Sequence, residues 1–520
     1  MKVGIDLGTT NSVVARLDDE GEPEVIRNKM GDEKTPSVVQ FREDEAPVIG
    51  QAAVNDYLSY PDQTVAQVKR HMGEDWSTEI LGEEYTAPEI SARILDKLKR
   101  DAEDAADEDV EEVVITVPAE FGTRGRQATI DAATMGLSEQ EGDRFSPENV
   151  DDNVELLTEP VAACLRYGLK KDFSETIFVY DMGGGTFDAT IVRVDGEDFK
   201  VEGTKGGKRL GGEDIDERLL KHVRGELLDK GAPDPDENEA FRQDVMEEVR
   251  TVKHSLSQQE EATLAVNIGA GEIVDVTVTR DEFEDLIEDL IDKSVQTTQN
   301  LFDDENVAVT KDEIDDVILV GGSTRIPLIH EKVEEFFGFE PSTDLRQDFV
   351  VGEGAAIQTE RERSGGDGGT GTGRIQNVLP ETIGVAIKED GNLVFDKIIQ
   401  ENRTIDEDGV TETKDGYKKV DTQSDRVEIQ LLQGGQTLAE DNDELGTFYV
   451  EGLEPGKDPE FEIEFAVTNQ GRLDAEVTNK MTGDVEDHTI DIGLEEQVIK
   501  SGTDTIRRER EERDEDLTRE

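Results

Sequence analysis

The chain has 520 residues, of which 126 are acidic and 55 are basic, and its formal net charge is -71. Such a charge repels nucleic acids and anionic membranes, so neither is an expected partner. With Cys164 as its one cysteine, the chain cannot form an internal disulfide or a multi-cysteine metal site. The length exceeds what one hydrophobic core normally serves, which predicts two or three domains.

The acidic residues are spread along the whole chain and are not gathered in one tail. Their mutual repulsion is screened only where cations are concentrated, so we hypothesise a high-salt cytoplasm, as in a halophile. Residues 1–6 are strand-like and lack the apolar segment of a signal peptide. No apolar run reaches the roughly eighteen residues that a membrane span needs. We therefore expect a cytoplasmic protein.

From residue 1 to about residue 363, short apolar strands alternate with amphipathic helices, an order typical of an α/β fold. The clearest predicted strands are 3–5, 113–117, 176–180 and 317–320. A predicted helix over 241–259 carries one apolar stripe, formed by Phe241, Val245, Val249, Val252 and Leu256.

The composition changes after residue 363. Residues 364–376 are rich in glycine, which predicts a flexible tether. Apolar and polar residues then alternate through 377–493, the pattern of half-buried antiparallel strands in a small β domain. The expected turns are Asp415-Gly416, Gln470-Gly471 and Thr482-Gly483. Residues 494–520 are so charged that we expect a frayed helix or a disordered tail that packs against nothing.

Two segments of the first half share one order of residue types: an apolar strand, an aspartate, a turn rich in Gly and Thr, and a second apolar strand. Asp6 precedes the turn of residues 7–10, and Asp181 precedes the turn of residues 183–185. Such turns expose backbone N–H groups to phosphate oxygens, and glycine lets the backbone approach closely. Each aspartate would hold Mg²⁺ through its waters. A single hairpin of this kind binds nothing in most proteins, but two copies predict a phosphate clamp.

A third segment, residues 317–327, runs from a buried strand into Gly321 and Gly322 and then into a helix start. A Gly-Gly turn lets a flat adenine or ribose approach the backbone. The sequence has no Walker motif G-x-x-x-x-G-K-[ST], and no Rossmann G-x-G-x-x-G follows a strand. The order of the three segments therefore favours a split nucleotide clamp.

In this order, the three segments resemble those of the seventy-kilodalton heat-shock (DnaK-like) chaperone family. The resemblance covers nearly the whole chain and includes the further stretches 114–120, 157–163, 354–358 and 427–434. It implies an α/β actin-like two-lobed ATPase domain over 1–363, an interdomain linker over 364–376, and a small antiparallel β-sandwich domain that binds peptides over 377–493. It also implies ATP or ADP with Mg²⁺ as cofactors, and K⁺ is a candidate further ion. The implied partners are unfolded or extended polypeptides, a J-protein and a GrpE-type exchange factor.

The resemblance also assigns roles to individual residues. The implied catalytic residues are Lys69, Glu159, Thr186 and Asp188, and the implied metal residues, acting through water, are Asp6 and Asp181. The implied nucleotide-binding residues are Thr9, Thr10, Gly183, Gly184, Gly185, Lys253, His254, Ser257, Gly321, Gly322, Ser323, Arg325 and Asp348. The implied peptide-binding residues are Val385, Ile387, Val427 and Ile429. Without the resemblance, Lys69 would be an ordinary solvated lysine and the four apolar positions would be plain sandwich core.

Three features depart from the family pattern. Residues 373–377 hold little of the apolar surface with which the family's linker docks, so we expect that docking to be lost. The charged tail over 494–520 stands in place of the family's helical lid. His254 and Arg250 stand where the family often has an arginine and a glutamate.

The sequence therefore predicts a lidless ATP-dependent chaperone that hydrolyses ATP and whose ATP and peptide sites are weakly coupled. Two alternatives stay open. One is an ATP-gated scaffold or sensor whose β domain binds a single dedicated partner. The other is a sugar kinase or filament-forming actin relative, which would leave the C-terminal β module unexplained.

Overall fold

The computed structural model describes the whole chain apart from short gaps, which include most of the predicted glycine-rich tether. The gaps are residues 44, 170–173, 209, 270–271, 343–344, 362–372, 390, 406–408, 419–424, 452, 455, 457–459, 469–470, 491 and 520. None of the described helices is both long and apolar enough to cross a membrane.

The first part of the chain builds a six-stranded sheet and the helices that cover it. Its elements are β1 (Lys2–Asp6), β2 (Asn11–Leu17), β3 (Pro23–Val25), β4 (Thr35–Pro36), β5 (Val38–Arg42), β6 (Glu45–Ile49), α1 (Gln51–Asp56), β7 (Thr64–Ala66), β8 (Ser77–Ile80), β9 (Glu83–Thr86), α2 (Ala87–Ala106), β10 (Glu112–Val117), α3 (Thr123–Leu137), α4 (Val150–Asn153), β11 (Val154–Thr158) and α5 (Glu159–Gly168). The sheet order is β11-β10-β1-β2-β3, and β4 pairs with β2. β1 is antiparallel to β2 and parallel to β10.

The second part repeats this pairing. Its elements are β12 (Ser174–Met182), β13 (Thr186–Asp195), β14 (Asp198–Lys208), α6 (Gly212–Asp229), α7 (Glu239–Leu256), β15 (Glu261–Gly269), β16 (Glu272–Thr279), α8 (Arg280–Phe302), β17 (Asp316–Val320), α9 (Pro327–Phe337) and α10 (Val350–Gln358). β12 is antiparallel to β13 and parallel to β17, as β1 is to β2 and β10. The four strands and the helix predicted from apolar patterns are confirmed, and the apolar stripe of α7 is buried.

Helices α5 and α10 join the two sheets through small residues. A Cβ on Gly354 of α10 would overlap the carbonyl oxygen of Ala162 in α5, and a Cβ on Gly4 of β1 would overlap the backbone of α10. The helix backbones can therefore lie directly on each other and on β1. A central core cluster draws apolar side chains from both sheets and both helices. Asp6, the last residue of β1, and Asp181, the last but one of β12, are thereby held on either side of one cleft.

The C-terminal part forms two four-stranded antiparallel sheets around a shared core, and these two sheets together are called the sandwich below. Its strands are β18 (Ile375–Val378), β19 (Ile383–Glu389), β20 (Asn392–Ile399), β21 (Thr404–Ile405), β22 (Val410–Lys418), β23 (Val427–Gln433), β24 (Asp443–Val450), β25 (Glu460–Val467), β26 (Leu473–Asn479) and β27 (Val485–Ile490). The sheet orders are β20-β19-β23-β24 and β22-β25-β26-β27, so the predicted antiparallel strands are confirmed. One predicted turn is wrong: Asp415 and Gly416 lie inside β22, at a register shift where Gly416 takes φ 92°.

The segment after the tether is a docked strand. β18 pairs in parallel with β14 and antiparallel with β21, so it extends the sheet that begins with β17 and β12. The N–H of Phe199 donates to the carbonyl oxygen of Arg374 over 2.7 Å. Val378 is 4% exposed and lies in the central core cluster, against which Ile375 packs. The expected loss of linker docking is therefore wrong, because backbone hydrogen bonds and two apolar side chains suffice to seat the strand.

The charged C-terminal segment also docks, and the expectation that it packs against nothing is wrong. Helix α11 (Glu496–Arg519) follows the sandwich and lies against α2, α3 and β6. Ile506 is fully buried in the core of the first sheet, and Ile499 packs against that core. A Cβ on Gly502 would overlap the sulfur of Met135 in α3, so this glycine lets the helix approach closely.

Ion pairs hold α11 in place where its apolar residues are few. Asp96 of α2 is fully buried and pairs with Arg510 over 2.5 Å and with Arg513 over 3.1 Å. Burial alone would raise the pKa of Asp96, but Arg100 and the two arginines of α11 hold that pKa below its ordinary value. Glu509 in turn pairs with the buried Arg93 over 2.7 Å. The charges that suggested a solvated tail are the groups that dock it.

Replacing Arg510 by Met should release α11 from α2, because Asp96 would keep its burial and lose its shortest ion pair. We expect a cost of about 2 kcal/mol, or roughly thirtyfold in the opening equilibrium of the helix. Hydrogen exchange of the α11 amides measures this directly. Arg508→Met is the matched control, since Arg508 is exposed and its hydrogen bonds stay within the helix. Equal exchange in the two variants would contradict the role given to Asp96.

Candidate nucleotide-binding site

A cleft of about 570 Å³ opens between the two sheets at the ends of β1 and β12. The hairpin turns, the turn after β17 and the first turn of α6 line it. The predicted residues that line it are Asp6, Thr9, Thr10, Lys69, Glu159, Asp181, Gly183, Gly184, Thr186, Lys253, His254, Ser257, Gly321, Gly322, Ser323, Arg325 and Asp348. Gly185 and Asp188 are not part of the lining.

The two predicted hairpins meet turn to turn across the cleft. A Cβ on Gly184 would overlap the hydroxyl of Thr10, and a Cβ on Gly185 would lie 2.7 Å from Nε of Arg70. A Cβ on Gly183 would meet nothing within 4 Å. Gly184 and Gly185 therefore leave room for the opposite hairpin, whereas Gly183 borders open space. The turns form a cradle of backbone groups with room for a ligand.

Two aspartates face each other at the strand ends. Asp6 accepts a hydrogen bond from Thr116 over 3.3 Å, and Asp181 is 6% exposed. Burial, and then the nearby Glu159, raise the pKa of Asp6 to about 7. Burial, Glu159 and Asp6 raise the pKa of Asp181 well above its ordinary value. These carboxyl groups disfavour one another's negative charge, and a cation between them would relieve this repulsion.

Asp188 lies behind the cleft, paired in register with Asp181. It is 2% exposed, and its Oδ1 has no hydrogen-bond partner. Burial and Glu120 raise its pKa well above the ordinary value. Gly206 lies beside both acids, because a Cβ there would overlap the Glu120 carboxylate and lie 3.0 Å from Asp188 Oδ1. Glu120 ends one of the stretches that resemble the family, but no local pattern assigned it to the site.

Lys69 is brought to these acids by a short 3-10 helix that follows β7. It is 6% exposed, and its Nζ lies 2.6 Å from the carboxylate of Glu159, the first residue of α5. Burial would lower the pKa of Lys69, but Glu159 and Asp6 hold that pKa above its ordinary value. Lys69 is therefore a buried, charged lysine and not a solvated one.

Arg70 is a site residue that the sequence analysis missed. Its guanidinium donates to the carbonyl oxygen of Gly185 over 3.0 Å and pairs with Glu213 and Asp214 over 2.9 and 3.1 Å. Burial raises the pKa of Glu213 to about 7, although Arg70 and Arg250 lower it. Arg70 follows Lys69 directly, but its partners lie 115 to 144 residues away in the chain. No local pattern could have joined them.

At the other end of the cleft, Gly321 has a positive φ of 85°, and a Cβ there would overlap the backbone of Met182. The hydroxyl of Ser323 donates to the carbonyl oxygen of Gly183 over 2.8 Å, so this turn is tied to the second hairpin. Arg325 and Lys34 both pair with Asp348, over 2.8 and 3.1 Å. Glycine is therefore needed at position 321 because the turn lies close to the backbone of Met182, whereas the sequence analysis expected glycine there to admit a ribose or base.

Lys253 and His254 lie near the end of α7, where they line the cleft. Nζ of Lys253 pairs with Asp216 over 2.7 Å and donates to the carbonyl oxygen of Gly212 over 2.9 Å. Burial, and then Lys253, lower the pKa of His254, so its ring is neutral near pH 7. Ser257 donates to the carbonyl oxygen of Lys253. Lys253 thus ties α7 to α6, a role that the sequence did not predict.

The predicted peptide-binding residues lie in the sandwich. Val385 and Ile429 are buried in its core, and Ile387 and Val427 are half-buried against that core. The pairing between β19 and β23 ends at Val385 and Leu431. Beyond that point, segments 386–389 and 427–430 pair with their outer neighbours and not with each other.

Comparison with known proteins places the chain in one family. The family model described as Hsp70 protein matches residues 2–81 and 76–519. The proteins named Chaperone protein DnaK in two strains of Halobacterium salinarum, R1 and NRC-1, are each 36% identical over 504 residues. Each alignment covers 94% of this chain and 75% of the relative.

Proteins of the matched family are ATPases that bind ATP or ADP with Mg²⁺, and they combine an actin-like ATPase domain with a β substrate-binding domain. The duplicated hairpins, the cleft between them and the C-terminal antiparallel sheets agree with that plan. The match extends over nearly the whole chain. The chain belongs to the Hsp70 family.

Proposed function

We propose that the cleft between the two sheets binds and hydrolyses Mg·ATP and that the C-terminal sheets hold extended polypeptide. Membership of the Hsp70 family makes the chain an ATP-dependent chaperone of the DnaK type with ATPase activity. The assignment of residues depends on one observation: two hairpin turns meet across a cleft that also holds the buried Lys69–Glu159 pair.

The residues at this meeting point fit a nucleotide with its metal. Backbone N–H groups beside Gly183 would donate hydrogen bonds to phosphate oxygens, since that side of the turn is open. Asp6 and Asp181 would hold Mg²⁺ through its waters, and among the described residues no three His, Cys, Asp or Glu side chains stand where they could hold a metal directly. When bound, Mg²⁺ supplies positive charge that offsets the negative charge of the phosphates and of both aspartates.

The chain's own groups would then stabilise and orient the reacting atoms. Lys69 would stabilise negative charge on the transferred phosphoryl group, and Glu159 holds its ammonium in place over 2.6 Å. Asp188 has an unpartnered buried oxygen with which it can accept a hydrogen bond from the attacking water. Thr186 begins β13 directly after the phosphate turn, where its hydroxyl can orient the same water.

At the opposite end, the turn at Gly321 and Gly322 would receive the ribose and base, together with Arg325 and Ser257. The neutral ring of His254 would pack against the base without adding charge. Lys253 is already paired with Asp216, so it would shape this pocket and not contribute a free charge. In this proposal, α7 and the turn after β17 recognise the base, and the two hairpins carry out the chemistry.

Replacing Thr186 by Ala should slow ATP hydrolysis about a hundredfold in single turnover, because one group that orients the attacking water is removed. ATP affinity should change little, since the turn of residues 183–185 stays intact. Thr263→Ala is the matched control, because Thr263 lies on the remote hairpin β15–β16 and hydrogen-bonds only across it. Hydrolysis at the parent rate in Thr186→Ala, with ATP bound normally, would show that this catalytic assignment is wrong.

The open end of the β19–β23 pairing supports the peptide site. Segments 386–389 and 427–430 each present one backbone edge toward the other, as an extended peptide needs for hydrogen bonding. Ile387 and Val427 flank this gap and offer apolar surface. Lys388 is exposed at the same end, which would favour segments with acidic residues beside an apolar one.

Strand β18 provides a physical link between the two sites. β13 begins at Thr186, directly after the turn proposed to bind phosphates, and the sheet continues through β14 and β18 to β21 of the C-terminal part. A shift of the β13–β14 hairpin on nucleotide binding would therefore act on β18 through shared hydrogen bonds. Coupling between ATP and peptide is supported by this docked strand, in place of the weak coupling that the sequence suggested.

Replacing Val378 by Asp should abolish stimulation of the ATPase by an apolar peptide. The added carboxylate would be buried without a partner, and this costs more free energy than the few backbone hydrogen bonds of β18 contribute. β18 should therefore leave its place beside β14. Steady-state hydrolysis with and without peptide measures the effect. Leu393→Asp, which adds the same charge at a position 56% exposed, is the control. Full stimulation of Val378→Asp would rule out β18 as the link.

A further inference from the structure

Arg126 is a buried cation without an anionic partner. It lies in the first turns of α3 and is 5% exposed. Its Nε donates to the carbonyl oxygen of Phe121 over 3.1 Å, whereas its Nη1 has no hydrogen-bond partner. Burial alone lowers the pKa of Arg126 to about 10, and no described acidic side chain forms an ion pair with it. The chain has 126 acidic residues, yet none of the described ones offsets the free-energy cost of burying this guanidinium.

A second buried donor lies beside the same helix end. Gln433, the last residue of β23, is 3% exposed, and its Nε2 has no hydrogen-bond partner. A Cβ on Gly122 would overlap this amide nitrogen, so the side chain lies directly on the residue that precedes α3. The guanidinium of Arg126 folds back to Phe121, which is next to Gly122 in the chain. Both unpartnered groups therefore lie at the N-terminus of α3.

The N-terminus of α3 is itself without a cap. No side chain accepts a hydrogen bond at its cap residue Gly122, and its first turn holds no acidic residue. The first N–H groups of a helix lack partners within the helix and carry partial positive charge. The helix amides, Nη1 of Arg126 and Nε2 of Gln433 are thus hydrogen-bond donors that lie near one another at this helix end. Gln433 Oε1 and the Phe121 carbonyl oxygen lie at the same place, but neither carries charge, whereas a bound anion would accept hydrogen bonds and offset the charge of the guanidinium.

The groups come from both parts of the molecule. Gly122 and Arg126 belong to the part from β1 to α10, called the ATPase part below, and Gln433 belongs to the sandwich. Gly471, in the turn between β25 and β26, covers Arg126, since a Cβ there would lie 3.0 Å from Arg126 Cδ. The donors therefore surround one place only while the sandwich lies against α3. None of these residues lines the nucleotide cleft.

We propose that a small inorganic anion of the halide class, with chloride as the simplest example, binds between the N-terminus of α3, Arg126 and Gln433. The bound anion stabilises the contact between the ATPase part and the sandwich, because the site is complete only in that contact. The close approach of Gln433 to Gly122 favours a single-atom ion over a phosphate.

The test is a chloride titration of the full chain at constant K⁺, with gluconate as the replacing anion. The ³⁵Cl NMR line width is measured at each chloride concentration. We expect saturable broadening whose affinity falls at least about tenfold in Arg126→Met, which removes the charged donor. Gln433→Leu should weaken it about threefold, as for a neutral hydrogen bond. Arg124→Met is the control: it removes the same charge from the same turn, but Arg124 donates to Glu444 and keeps no unpartnered buried nitrogen.

Broadening that does not saturate, or that is equal in the parent and in both site variants, would overturn the proposal. If Arg126→Met fails to fold, the chloride affinity of Gln433→Leu and a bromide-soaked crystal of the parent protein test the site instead. An anomalous peak within hydrogen-bond distance of Arg126 Nη1 supports the site, and a water or apolar atoms there overturn it. The nucleotide cleft contributes equally to all variants, so the outcome does not depend on whether the chain hydrolyses ATP.

Discussion

The contact between the two hairpin turns, where Thr10 lies against Gly184, fixes the geometry on which the rest of the structure depends. A side chain at Gly184 would clash with the Thr10 hydroxyl, so glycine at this position lets the two hairpins meet. Behind this contact, Gly4 and Gly354 let α5, α10 and β1 lie backbone to backbone. Small residues at these few positions therefore convert two separate sheets into one cleft with a defined width.

Charge pairing sets the second constraint, because the chain is so acidic. Most carboxylates can stay in water, so those that are buried must be held by a specific cation. Asp96 is held by arginines of α2 and α11, and Glu159 is held by Lys69. Asp6 and Asp181 are different, since they face each other with raised pKa values and only one lysine nearby. This local excess of acidic groups is the reason why we propose that a divalent cation binds between them.

Sequence patterns predicted the parts of the fold that depend on local order. Apolar strands, the stripe of α7 and the duplicated turns follow from periodicity and from glycine placement, and all are present. The patterns failed where a segment is stabilised from far away. α11 has few apolar residues and is docked by Asp96, more than four hundred residues earlier, and β18 gains its hydrogen bonds from the edge of β14. Arg70 was missed for the same reason, since neither composition nor spacing indicates which distant residues it will contact.

These distant contacts bear on how the two parts of the chain work together. The sandwich is held to the ATPase part by β18 before its first sheet and by α11 after its last strand. Between these two attachments, Gln433 and Gly471 press on the N-terminus of α3. Gln433 ends β23, the strand whose other end leaves its pairing with β19. A movement of α3 relative to β18 would therefore reach the open end of the sandwich along β23, whose Ile429 and Leu431 also belong to the sandwich core.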